Sequence, residues 1–268
     1  MSLALPGLAR NSGIVFKAEL KAAVDAARSA GQEIARMRRE GLRYGRKQGL
    51  ELVSEADIRA EEMLHEALAT AFPDTAWLSE EHVDTRERLQ SERVWIVDPI
   101  DGTREYLQGI PEYAVSVALA VRGEAVLGVV YNPATDELAS AVVDGAGERR
   151  RLLQRPSYAV LVGRGEQHFN EVPPLPPGAR TIGIGSVAYR LARIAAGAGE
   201  VVLTGYGRAE WDVAAGAAIC RAAGLRVTDV LGEPLAFNQP EPYVRGLLVA
   251  DPGLHDTISQ HFRTLTAR

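Results

Sequence analysis

The chain has 268 residues, 46% hydrophobic and 24% charged, with a formal net charge of −5 from 30 basic and 35 acidic residues. That length fits one large domain or two lobes and is enough to bury a core without disulfides. The composition excludes disorder, fibres and coiled coils, and the lack of a basic excess argues against a nucleic-acid polymer as partner. The single cysteine, Cys220, forbids an intrachain disulfide, fits a reducing compartment and reads as core in the run AAGAAIC. No run reaches the ~18 apolar residues of a membrane helix. The start, MSLALPGLARNSG, has no charge before its apolar stretch, as a signal peptide would require, so the cytoplasm is expected. Arg36–Arg39, Arg43–Lys47 and Arg149–Arg151 are flanked by acids and read as solvated faces.

Apolar residues at Phe16, Leu20, Val24, Ala27, Ile34 and Met37 predict an amphipathic helix ended by Gly41 and Gly45. Ser54-Glu55-Ala56-Asp57 is a capping box opening a second helix with Ile58, Met63, Leu64, Ala67 and Leu68 as its apolar face, stopped at Pro73-Asp74. Trp77-Leu78 and Val94–Val97 predict short buried strands that each end in acids. Ala114–Val121 and Ala125–Tyr131 form a hairpin around Arg122-Gly123-Glu124, with a third strand at Leu138–Val143. The proline-rich stretch from Gly163 to Gly178 predicts a loop and a lobe boundary.

Beyond it, strands at Thr181–Ile184, Val201–Leu203 and Leu247–Ala250 alternate with helices at Ser186–Ala196, from Trp211 to Ala223, and to about Leu265. Together with Tyr158–Val162, this alternation predicts an α/β layer. The whole reads as one catalytic unit over residues 1–268, with an N-terminal α+β lobe at 14–155 and a C-terminal α/β lobe at 156–268.

Chemistry concentrates at Val94-Trp95-Ile96-Val97-Asp98-Pro99-Ile100-Asp101-Gly102-Thr103. A buried strand delivers Asp98 to its C-terminal end, Pro99 fixes φ, and Asp101 can point back to the same spot. Gly102 permits close backbone approach, and Thr103 adds a hydroxyl where free N–H groups favour an anion such as phosphate. Two carboxylates would repel that anion unless a metal lay between them. Glu80-Glu81 ends the preceding strand and can converge on the same ion. Asp57 could simply cap a helix, and Asp212 in Trp211-Asp212-Val213-Ala214-Ala215-Gly216 could be an N-cap. Oxygen-only ligands suit Mg²⁺ rather than zinc. The five histidines show no metal-ligand spacing. Asp57, Glu80, Asp98, Asp101 and Asp212 carry as much negative charge as the chain's net −5, which divalent ions would overturn.

Trp77–Glu81, Trp95–Thr103 and Trp211–Gly216 resemble, in order, the three signatures of the inositol monophosphatase superfamily. Ser54–Asp57 resembles a fourth element, and Gly185-Ser186 the loop on the ester side of the phosphate. The resemblance implies a layered αβαβα fold and a Mg²⁺-dependent, often lithium-inhibited phosphomonoesterase that uses two or three ions and forms a homodimer. It implies Glu80, Asp98, Asp101, Asp212 and the carbonyl of Ile100 as metal ligands, with Asp57 and Thr103 orienting the attacking water. The N–H groups of Gly102 and Thr103 would hold the phosphate. Such metals activate water and neutralise the leaving oxygen, so no covalent enzyme nucleophile is needed.

Arg104-Glu105-Tyr106 and Glu210 are more similar to the 3′(2′),5′-bisphosphate nucleotidase branch, while the acid that inositol-selective members carry about six residues before the tryptophan is absent from Thr204–Arg208. Two features depart from that branch. Gly163-Arg164-Gly165-Glu166 keeps only the arginine of a Ser-Arg-Ser-His-like segment, and the glycine-rich segment shrinks to Asp144-Gly145-Ala146-Gly147. Arg208 or Arg164 could hold a second phosphate, and Tyr206 could stack on a base, whereas Tyr106 reads as core. Inositol, sugar and histidinol phosphates remain alternatives. So does a non-catalytic divalent-metal binder, although that would need neither Thr103 nor Asp57. Gly183-Ile184-Gly185 and Gly205-Tyr206-Gly207 lack the third glycine of a dinucleotide fingerprint.

Overall fold

A computed structural model describes residues 16–41, 44–46, 52–144 and 157–266. In chain order the elements begin with α1 (Lys17–Glu40), β1 (Tyr44–Arg46), β2 (Leu52–Ser54), α2 (Glu55–Ala71) and β3 (Ala76–Ser79). After a 3₁₀ turn at Glu87–Gln90 come β4 (Arg93–Asp101), α3 (Thr103–Gln108), β5 (Ala114–Val121), β6 (Glu124–Asn132) and β7 (Glu137–Val142). Then follow β8 (Tyr158–Gly163), α4 (Arg164–His168), β9 (Ala179–Ile184), α5 (Val187–Ala195) and β10 (Val201–Thr204). The chain closes with β11 (Arg208–Ala209), α6 (Glu210–Ala222), β12 (Arg226–Thr228), β13 (Tyr243–Val244), β14 (Leu247–Ala250) and α7 (Pro252–Thr266).

Two five-stranded sheets and three helical layers give an αβαβα sandwich. The first sheet runs β3-β4-β5-β6-β7 and the second β12-β14-β10-β8-β9. β4 shows how sequence makes the layers. Its side chains alternate between faces, so Trp95 and Val97 join Ala27, Ile34, Leu64 and Leu68 of α1 and α2. Val94 and Ile96 instead join the central layer, where α5 and α6 separate the sheets. With both faces covered, the strand is apolar throughout rather than alternating. Ile258 and Phe262 of α7 cover the outer face of the second sheet at Val160, Val162 and Leu248.

The small residues of α6 are required by contact. At Gly128 of β6 a Cβ would lie 2.1 Å from the Ala215 carbonyl oxygen, so helix and strand meet at backbone distance. Cys220 is fully buried in the same helix, its thiol on the Leu191 carbonyl at 3.2 Å, and burial pushes its pKa up. Tyr106 is likewise core, its hydroxyl donating to Ile34 O at 2.8 Å.

Several expectations need correcting. Gly45 lies in β1, so Gly41 alone caps α1. On α2, Ile58 is 44% exposed and Ala67 also faces outward, while Asp57 and Glu61 are buried. The inward face of its first turns mixes Ala56 and Ala60 with these two acids, and Glu61 accepts hydrogen bonds from Trp77 Nε1 at 2.8 Å and Ser79 Oγ at 2.6 Å. The stretch 163–178 is not all loop, since α4 occupies its start, with Glu166 accepting the Gly163 N–H at 2.9 Å. The strand expected at Val94–Val97 extends to Asp101. The N-terminal segment MSLALPGLARNSG, the shortened glycine segment Gly145-Ala146-Gly147 and Arg149–Arg151 lie outside the described residues.

Candidate active site

The site lies where β3 and β4, parallel neighbours, both end. In a regular strand Asp98 and Asp101, three residues apart, would face opposite sides. Here Asp98 pairs with Ser116 and Asp101 with Ala114, so three steps on β4 match two on β5. The extra residue is a β-bulge, and it turns both carboxylates to one side. Pro99 falls inside the bulge, where no ladder N–H is needed. Asp212, in the first turn of α6, completes the group: carboxylate oxygens of Asp98, Asp101 and Asp212 all lie within 4.8 Å of one another. The helix N-cap is Ala209, so Asp212 is not the N-cap that its position suggested.

This cluster is electrostatically strained without a cation. Burial raises the pKa of Asp98 well above the usual carboxylate range, and Glu80, Asp101, Asp212 and Asp57 add to the effect. Asp212 is raised by burial, then by Asp101 and Glu80, against Arg208 and Arg190. Burial also raises Asp101, offset by hydrogen bonds from Ser186 Oγ at 2.6 Å and Ala188 N at 2.5 Å to its Oδ2. Asp98 Oδ1 accepts the Ile100 N–H at 2.9 Å. Converging all-oxygen donors whose mutual repulsion favours a cation fit a hard divalent ion. The half-buried Glu80, just past β3, contributes to the same field.

Asp57 stands at the third position of α2. Its Oδ2 accepts from Ser54 N at 2.7 Å and Ser54 Oγ at 2.6 Å, closing the expected capping box and leaving Oδ1 to Thr103 Oγ1 at 3.2 Å. Thr103 Oγ1 also lies 3.0 Å from the Ile100 carbonyl. A hydroxyl has one proton, so these two acceptors share it. Burial raises the Asp57 pKa against the Ser54 and Thr103 hydrogen bonds.

Gly102 and Thr103 open α3, where N–H groups lack helical partners. Gly102 has φ 94°, and a Cβ there would lie 3.0 Å from the Glu112 carbonyl oxygen and 3.3 Å from Ser186 Cβ, so only glycine suits the turn. Gly185 makes room for a side chain instead, with the place of its missing Cβ 2.4 Å from Glu105 and its N–H on Glu112 Oε2 at 2.9 Å. The Ser186 hydroxyl is taken up by Asp101 and by capping α5 at Tyr189 N, 2.9 Å away.

Arg208 and Glu210 sit apart from the clustered acids. Arg208 Nη2 bonds Glu166 Oε1, and the buried Arg190 lies 3.9 Å from the same carboxylate's Oε2. Burial lifts the Glu166 pKa, but Thr204, Arg190 and Arg208 outweigh that and hold it low, whereas burial and Arg208 push Arg190 down to about 10. Two guanidiniums around one carboxylate leave a net positive charge beside the acids. Glu210 is fully buried and accepts Asn238 N at 2.6 Å and Gln239 N at 2.9 Å. Arg88, only 2% exposed, grips the same loop through Asn238 Oδ1 at 2.7 Å and Gln239 O at 3.0 Å. Sequence reasoning missed Glu112, Glu166, Arg190 and this Arg88 latch, whose partners are distant in the chain.

A model of the inositol monophosphatase family matches residues 17–266. The chain is 35% identical over 235 residues to the inositol-1-monophosphatase of Mesorhizobium japonicum, spanning 80% of this chain and 86% of that protein. It is 33% identical over 244 residues to the 3′(2′),5′-bisphosphate nucleotidase CysQ of Salmonella typhimurium, spanning 87% and 96%. In structure it is similar to the extragenic suppressor protein suhB of Bartonella henselae, with a TM-score of 0.72, 29% identity and coverage of 91% and 98%. With signatures, layers and acidic cluster in agreement, the chain belongs to the inositol monophosphatase family, whose members are phosphatases.

Proposed function

We propose that the protein is a Mg²⁺-dependent phosphomonoesterase acting on a small phosphate ester, with 3′(2′),5′-bisphosphate nucleotides as the preferred class. The observation carrying the first half is the convergence of Asp98, Asp101 and Asp212 beside the Asp57–Thr103 pair. Two or three Mg²⁺ ions are the expected complement, held by Glu80, Asp98, Asp101, Asp212 and the Ile100 carbonyl. When bound, they supply charge neutralisation and an activated water.

The chain's own residues then do the positioning that phosphoryl transfer needs. Thr103 Oγ1, donating to Asp57 Oδ1, turns a lone pair toward the water and receives its proton as Asp57 takes the threonine's own. The N–H groups of Gly102 and Thr103 orient the phosphate oxygens. Gly185 and Ser186 shape the ester side, Ser186 acting through Asp101. The nucleotide preference rests on Arg104-Glu105-Tyr106, on Glu210, on the absence from Thr204–Arg208 of the acid that inositol-selective members carry about six residues before the tryptophan, and on the surplus charge of Arg190 and Arg208 around Glu166. Arg208, 26% exposed, is the one to meet a second phosphate.

A homodimer, lithium inhibition and a cytoplasmic location belong to the same reading, and no helix among the described residues is long and apolar enough to cross a membrane. Phosphate release from 3′-phosphoadenosine 5′-phosphate and inositol 1-phosphate, with Mg²⁺ or excess chelator, tests it. Metal-dependent release favouring the nucleotide is expected. Preference for inositol phosphate would move the protein to the sugar branch, and no metal-dependent release from either would remove the activity.

A further inference from the structure

A groove of about 740 Å³ opens between the turn at Gly205–Gly207 and the segment Gln239–Arg245. One wall is β13, whose Tyr243 and Val244 line the groove and which pairs with β11, Ala209 opposite Tyr243. Ala209, the β11 partner of Tyr243, is the N-cap of α6, three residues before Asp212. Tyr243 is 61% exposed, and Tyr206, between the two lining glycines, is 50% exposed. The Tyr243 ring is braced edge-on by Trp211, centroids 6.3 Å apart at 60°.

We propose that this groove receives the nucleobase of a nucleotide substrate, stacked on Tyr243, with Trp211 holding that ring in place. The inference rests on the bisphosphate nucleotidase reading above and assigns the residues that would make it selective. Three features point to a planar aromatic ligand rather than a polyhydroxylated ring. Braced on one edge and open elsewhere, Tyr243 offers a preset stacking surface that costs little conformational entropy to use. Gly207 keeps the floor low beside Val244, whose carbonyl oxygen lies 3.6 Å from the place of a Cβ, so a flat ring can approach the backbone there, while Gly205 packs on Pro173. The rim carries Gln239 and Arg245, a carboxamide to pair with a base edge and a guanidinium that can stack on its face. A sugar ring would instead need converging acceptors, and the one carboxylate lining the groove, Glu241, is exposed at its rim.

Stacking of one base on an aromatic side chain is sequence-tolerant and sizeable, so its loss should appear as a change in selectivity. The test compares kcat/KM for 3′-phosphoadenosine 5′-phosphate and for ribose 3,5-bisphosphate, which lacks the base, in the wild type, Tyr243→Ala and Tyr243→Trp. The expected result is a wild-type preference for the nucleotide that falls about tenfold in Tyr243→Ala, through KM, and returns in Tyr243→Trp. A nucleotide preference unchanged in Tyr243→Ala would overturn the groove while leaving the nucleotidase reading intact. Equal loss on both esters would overturn it too, assigning Tyr243 a structural role or one between copies of the chain. If the wild type cleaves inositol 1-phosphate better than either bisphosphate, the nucleotidase reading falls, and the base site with it.

Discussion

Thr103 carries the most specific residue-level expectation. Its hydroxyl bridges Asp57 and the Ile100 carbonyl, so replacing it with an isosteric methyl should remove the proton path while keeping the packing. Thr103→Val is expected to lower kcat by about 10²–10⁴-fold with little change in KM, whereas Thr103→Ser should stay near wild type. Steady-state kinetics on any accepted ester would check this, and an equal loss in both variants would contradict it.

His255 makes a prediction about stability. It is 2% exposed, and Thr228 Oγ1, 2.8 Å from its Nε2, also donates to Asp229 O at 2.7 Å. Nε2 must therefore carry the imidazole proton, and buried Nδ1 has no recorded partner. Burial, aided by Arg226, lowers its pKa from 6.5 to about 4. The unfolded chain then takes up a proton before the folded one, so stability falls as pH drops from about 6.5 toward 4. The loss, relative to a His255→Gln variant, should be on the order of 3 kcal/mol in urea unfolding. Parallel pH curves for the two proteins would refute it. Glu210, raised to about 7 mainly by burial, acts in the opposite sense, losing stability as pH rises through that range. The subtraction against His255→Gln removes its contribution.

At the scale of elements, position depends on two devices, the bulge in β4 and the close seating of α6. The bulge brings Asp98 and Asp101 to one side, and α6 brings Asp212 to them only because Gly128 lets its backbone touch β6. Gly128→Ala should therefore cost about 1–3 kcal/mol through overpacking and weaken metal affinity as Asp212 moves. Chemical denaturation and metal titration of the same variant would separate the two effects, and an undisturbed affinity would show that the cluster tolerates displacement of α6. These elements were legible to different degrees. The apolar run before Asp98 and the small residues after Trp211 announced a buried strand and a tight helix. The bulge was not readable, because register depends on β5, and the start of α2 misled because Asp57 and Glu61 are buried through hydrogen bonds rather than by hydrophobicity.

At the scale of the molecule, the αβαβα order followed from local pattern. A helical pair, an antiparallel meander and an alternating segment can cover their apolar faces by sandwiching α5 and α6 between two sheets. The clustered acids were legible for the same reason, since each sits at the end of a periodic element. Their cationic neighbours were not. Arg190, Glu166 and Arg208 meet from three separate elements, and Glu210 serves the loop at Asn238 and Gln239, which only the tertiary structure shows.

The claim joining these scales is that the buried acids form a cation site built by the whole fold. Titrating Mg²⁺ while following the thermal unfolding of the wild type and Asp101→Asn tests it most directly. The wild-type Tm should rise with Mg²⁺, as for any ligand bound only by the folded state, and the variant should respond much less. A wild-type Tm indifferent to Mg²⁺, or an equal rise in the variant, would contradict it.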